Sequence, residues 1–174
     1  MDVLSVGDAS HVLTDVDGQP RAERPSSEEA GKLMRYIDSM AGDYPPRWVI
    51  DLHEDNMIDA GYVYSQGSLG VDDPLAQLAV QVLQEQGVPI QQDGETRFGE
   101  AIVNGVVGPV RDGSVDEYLD AIADGTAGNG LGTVPTNTVL VIETPVSLQL
   151  SQRVNAHREV IKQLTATLEA MPVQ

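Results

Sequence analysis

The stretch Arg47-Trp48-Val49-Ile50-Asp51-Leu52-His53-Glu54-Asp55 decides how this chain folds, because an apolar run that stops abruptly on polar residues reads as a buried strand delivering chemistry at its end. A second segment, Thr138-Val139-Leu140-Val141-Ile142-Glu143-Thr144-Pro145, has the same form, a β-branched run closing on one carboxylate. In an open α/β sheet, ligands bind beyond the carboxyl ends of the strands, so the two segments would bring His53 and Glu143 to one edge.

Around these strands the text alternates with helical patterns. Ser26 and Glu29 form a capping box for a helix with Ala30, Leu33, Met34 and Ile37 on one face, ending near Gly42. Gly61-Tyr62-Val63-Tyr64 reads as a short strand. Asp72-Asp73-Pro74 opens a helix with Leu75, Leu78, Val82 and Leu83 on one face until Gly87, and a short strand is expected at 88–91. The Gly-punctuated stretch 97–110 does not resolve. Ser114 with Glu117 makes a second capping box, for a helix to about Ala123. The glycine run 125–132 precedes a strand rather than opening a helix, so it reads as a flexible loop and not a phosphate cradle. The last helix, 149–170, is expected to bury Leu150, Val154, Ile161, Leu164 and Leu168. Residues 1–25 are polar, carry two prolines and are weakly specified. This order of elements predicts an α/β protein, three-layered, with a central mixed, largely parallel sheet in one domain over residues 1–174.

Composition narrows the function. The chain has 174 residues, with 27 acidic against 10 basic side chains and a formal net charge of −17. Such a chain repels phosphate backbones and anionic membranes, which argues against nucleic-acid and membrane partners. Its lysine-poor, aspartate-rich surface resembles proteins of halophilic archaea and suggests a salt-rich cytoplasm; an acidic mesophilic domain is the alternative. No cysteine is present, which excludes disulfides, thiolate nucleophiles and cysteine-based metal sites. Nothing approaches the ~18 apolar residues of a membrane span, and a cytoplasmic location is expected.

The candidate chemistry lies at the two strand ends. A histidine held at a strand terminus can face a cleft and ligate a metal, and Asp51, two residues earlier on the same face, could orient its ring. A histidine merely capping a turn is the alternative. Glu143, buried at the end of an apolar run, would have a raised pKa and suit a general base and then acid; alternatively it accepts hydrogen bonds from the following helix. Tyr62 and Tyr64 could donate to a substrate, though core or edge packing is the commoner role. Arg153, ten residues after Glu143, could pair a substrate carboxylate, though a surface ion pair is the commoner fate. Glu54 and Asp55 could be ligands or solvated surface, His157 is expected on the polar face of the last helix, and His11 carries no readable signal. A serine hydrolase is disfavoured because Gly67-Ser68-Leu69-Gly70 lacks the nucleophile-elbow spacing, and a nucleoside triphosphatase because no phosphate loop is present.

At these positions the chain resembles the zinc-dependent carboxypeptidase and succinylglutamate desuccinylase/aspartoacylase superfamily. Asp51-Leu52-His53 matches the family's strand carrying its third zinc ligand, and Val141-Ile142-Glu143 the strand ending on its catalytic glutamate; the match spans roughly residues 26–170. The resemblance implies a zinc-carboxypeptidase-like fold and an amide hydrolase acting on a small peptide or N-acyl amino acid. It also implies zinc as cofactor, His53 as one ligand and Glu143 as the base for a zinc-activated water. The family's His-x-x-Glu motif and its Asn-Arg pair do not occur in this sequence. A catalytic zinc takes about three protein ligands, so a missing N-terminal portion or a second chain would complete the site. The alternative is an inactive, metal-free relative serving as a binding or partner domain.

Overall fold

A computed structural model describes residues 27–41, 48–110, 114–123 and 138–170. The N-terminal segment with His11, the Pro45-Pro46 pair and the glycine run 125–132 lie outside these residues. The described elements are α1 (Glu28–Ala41), β1 (Trp48–Asp55), β2 (Tyr62–Ser65), α2 (Pro74–Glu85), β3 (Gly94–Glu95), β4 (Ala101–Val103), β5 (Val106–Val107), α3 (Val115–Ala123), β6 (Thr138–Pro145) and α4 (Leu150–Ala170). A 3₁₀ turn, Gly70–Asp72, leads into α2.

The strands form one mixed sheet in the order β1-β6-β2-β5-β4-β3. β2 runs parallel to β5 and antiparallel to β6, and β5, β4 and β3 pair antiparallel in turn. The Val146 amide donates to the Asp55 carbonyl while the Thr144 hydroxyl donates to that of His53, the constant offset of parallel neighbours β1 and β6. The mixed α/β architecture is therefore the one that the alternating elements predict.

The chain gathers into two compact units. One holds α1 and α3, which pack on each other. Ser27 Oγ accepts from the Ala30 amide at 3.0 Å at the start of α1, Ser26 lying outside the described residues, and Ala30 and Met34 are buried as expected. Ser114 caps α3 through the Glu117 amide. The Tyr118 hydroxyl donates to Asp38, and Gln66 bridges the Asp116 carboxylate and the Val110 amide, both at 2.8 Å.

The other unit holds the remaining sheet, α2 and α4. Asp73 caps α2 by accepting from the Leu75 amide at 2.8 Å, with Pro74 at the first turn. α2 packs against β2, β5 and α4, which buries Ala76, Ala79 and Val80 beyond the predicted stripe. The strand expected at 88–91 reduces to one parallel bridge, Gly61 with Ile90. The unresolved stretch 97–110 is largely a two-residue hairpin: Asn104 and Gly105, at φ 52° and 81°, join β4 to β5. Two adjacent positive φ values form the turn whose twist matches the flanking strands, and Asn-Gly is its usual sequence.

In α4 the buried stripe is Ala156, Val160 and Leu164, whereas Leu150, Val154 and Ile161 of the expected face are exposed. Apolar spacing placed Leu164 correctly but set the rest of the stripe to one side of the buried one, because the helix also covers two polar residues, Arg153 and His157, that find partners.

Candidate functional site

Alternation along β1 and β6 sorts their terminal residues onto two faces. Asp51, His53 and Asp55 share one face of β1, and the His53 ring reaches Glu143 of β6 across the strand pair. The His53 Nδ1 atom lies 3.5 Å from Glu143 Oε1, and its Nε2 atom 3.1 Å from Asp51 Oδ2. The sequence-predicted histidine and its two carboxylates thus form one half-buried cluster, with Glu143 only 12% exposed.

Two carboxylates on one imidazole stabilise its charged form. The Asp51 hydrogen bond, then that of Glu143, push His53 up to about 11 against the opposing effect of burial. Burial works to raise the Asp51 carboxyl, but the hydrogen bond and charge of His53, with the Leu52 amide, outweigh it and leave it lowered. The geometry thus sets the imidazole between two carboxyl groups, Asp51 on Nε2 and Glu143 on Nδ1.

β2 continues the same face. Tyr62 stands opposite Glu143 in the antiparallel register and meets Tyr64 edge to face, ring centres 5.5 Å apart. Burial, then the charge of Glu143, pushes the Tyr62 phenol up to about 12. Burial, with Tyr62 and Glu100 nearby, also raises Tyr64. Both remain donors, and the Tyr64 hydroxyl donates to Glu100 Oε2 at 2.9 Å. Tyr64 is thus engaged within the protein, two residues along β2 from Glu143's partner. Arg97, which sequence reasoning passed over, lies 3.5 Å from Asp55 and stacks on Phe98.

The opposite face belongs to α4. Arg153 pairs with Glu54, and its Nε donates to the Leu148 carbonyl at 3.1 Å. Glu54 alternates with His53, so Arg153 is not brought to the His53 and Glu143 cluster. His157 is not on a solvated face: its Nε2 lies 3.1 Å from the Oγ1 of Thr144, a fully buried residue. Burial lowers its pKa; Glu54 opposes this, and Arg153 and His53 reinforce it. Arg153 and His157 are four apart on a helix, hence on one face; that spacing was the available signal.

Among the described residues no group of three or more His, Asp or Glu side chains is placed to hold a metal. His53 has a carboxylate on each ring nitrogen, so the described donor set does not by itself fit a catalytic zinc. No described helix is long and apolar enough to cross a membrane.

No protein-family model matches the chain, and no curated protein matches it in sequence. Among the solved structures that share its fold are three bearing the name "putative metallopeptidase". That from Shewanella baltica OS155 has a TM-score of 0.65 and 22% identity, covering 81% of this chain and 47% of its own. Those from Shewanella amazonensis SB2B and Shewanella denitrificans OS217 have TM-scores of 0.65 and 20% identity. They cover 82% and 81% of this chain, and 48% of their own in each case. The likeness is one of fold. This chain spans about half the length of the metallopeptidase chains that it matches.

Proposed function

We propose that this chain carries part of the site of a metal-dependent amide hydrolase, of carboxypeptidase or N-acyl-amino-acid deacylase type, with Glu143 as general base and then acid. The observation that supports it best is the 3.5 Å approach of His53 Nδ1 to Glu143 Oε1 at adjacent strand ends, in a fold shared with proteins named as metallopeptidases. Glu143 is mostly buried yet lies at a strand end, where a carboxylate can take a proton from an attacking water and return it to a leaving amine. His53 is the candidate metal ligand, Asp51 orients its ring, and Tyr64 flanks the face on which a peptide or N-acyl amino acid would lie. Zinc is the metal that the family resemblance implies, and imidazole and carboxylate donors are compatible with it; its other donors would come from outside the described residues, on this polypeptide or a second one. The composition supports a salt-rich, halophilic cytoplasm as the setting.

One observation favours a second reading, a metal-free binding domain: both ring nitrogens of His53 already face carboxylates, Asp51 Oδ2 at 3.1 Å and Glu143 Oε1 at 3.5 Å. Metal stoichiometry after loading with zinc, with hydrolysis of N-acetyl amino acids and short peptides, separates the two. In the active assembly Glu143→Gln should lower turnover by about 10²–10⁴-fold with metal retained. Unchanged turnover removes Glu143 as base, and absence of both metal and hydrolysis leaves the binding domain.

A further inference from the structure

The face beneath the His53 and Glu143 cluster contains a hydrogen-bond chain with a determinate direction. Thr144 is fully buried, and its Oγ1 lies 3.3 Å from the His53 carbonyl and 3.1 Å from His157 Nε2. A carbonyl oxygen only accepts and a threonine hydroxyl has one proton, so that proton goes to His53. The second contact then needs its proton from the imidazole, which makes His157 the tautomer protonated on Nε2. The chain runs from the His157 N–H to the Thr144 hydroxyl to the His53 carbonyl, and it ties α4 to the ends of both β1 and β6. Beside it the Arg153–Glu54 pair makes a second tie from the same helix.

These ties hold the backbone at the two residues whose side chains meet on the other face. Thr144 adjoins Glu143, and its hydroxyl grips His53 itself. We propose that His157 is a positioning residue: through Thr144 it fixes the His53 backbone against the strand carrying Glu143, and so sets the separation of the His53 ring from the Glu143 carboxylate. The catalytic meaning of that separation rests on the hydrolase reading above, in which a misplacement of about 1 Å costs about 10²-fold in rate. The geometry itself does not depend on that reading.

The test is nitrogen-15 NMR of the histidine side chains in the chain as it stands, with no metal or substrate added. His157 is expected to carry its proton on Nε2 and to leave Nδ1 bare. His157→Ala should shift the ring signals of His53, and His157→Gln, whose amide N–H can also donate to Thr144, should restore them. Thr144→Val should shift the same signals and Thr144→Ser should not. A proton on Nδ1 of His157 overturns the proposal, as do His53 signals unmoved in folded His157→Ala and Thr144→Val. Should the alanine variant not fold, the tautomer of the parent protein and the Val/Ser comparison decide. None of these measurements reads turnover, so the hydrolase assignment and this inference fail separately.

Discussion

A Cβ at Gly61 would lie 2.4 Å from the carbonyl oxygen of Glu143, so the strand bearing the carboxylate passes this glycine too closely for any side chain. The obstacle is backbone, which cannot rotate away. Gly61→Ala should therefore push the end of β6 aside and cost about 1–3 kcal/mol, the usual penalty of overpacking. Gly108, where the nearest atom is Val71 Cγ1 at 3.8 Å, provides the control. Urea unfolding of both alanine variants checks this; equal midpoints would show that the approach imposes no constraint.

His53 has a raised pKa in the folded state, about 11 against an ordinary 6.5, so the stability it contributes is complete below about pH 6.5 and is lost as pH rises toward 11. Asp51 is lowered from 3.8, so its contribution is present above that value and is lost as pH falls through the folded value. The unfolding midpoint of the parent protein should thus decline from pH 7 to pH 10 more steeply than that of His53→Gln. Parallel profiles would mean that the imidazolium is not held by its carboxylates.

Arg153 has a side chain 12% exposed against Glu54, which is 35% exposed. Arg153→Met leaves that carboxylate without its cation and should cost about 1–3 kcal/mol, by analogy with hydrogen bonds to charged groups. Glu54→Gln in the same chain should recover part of the loss. A double-mutant cycle with no coupling would refute the pairing. In an assembled enzyme Arg153→Met should leave the affinity for a substrate carboxylate unchanged, because the side chain lies beneath the sheet.

A formal charge of −17 on 174 residues works against the compact state, and salt relieves it. Thermal unfolding at 0.1 M and 2 M potassium chloride should show a clear rise in midpoint with salt. A flat response would argue against a halophilic setting.

Much of this architecture was legible because local chemistry and packing agree. Asp73-Pro74 starts α2 where the capping rule places it, and the strands ending on His53 and Glu143 lie side by side. The errors arise where a residue's partner is remote in sequence. His157 looked solvated because Thr144, which holds it, lies on another element, and of the apolar stripe read for α4 Leu164 is buried while Leu150, Val154 and Ile161 are exposed. The β4–β5 hairpin was present as Asn104-Gly105, but strands of three and two residues are too short for alternation to register. That Tyr64 would face Glu100 depended on a contact 36 positions away.

The exposed side of α4 bears on how the protein behaves in bulk solution. Leu150, Val154 and Ile161 stand in water on a chain whose copies repel one another through their net charge. At about 1 M salt the screening length falls to about 3 Å, so the ions that relax repulsion inside a molecule also dismantle the barrier between molecules. Raising the salt therefore acts on two balances at once, easing the strain of the charge within each copy while weakening the charge that keeps copies apart.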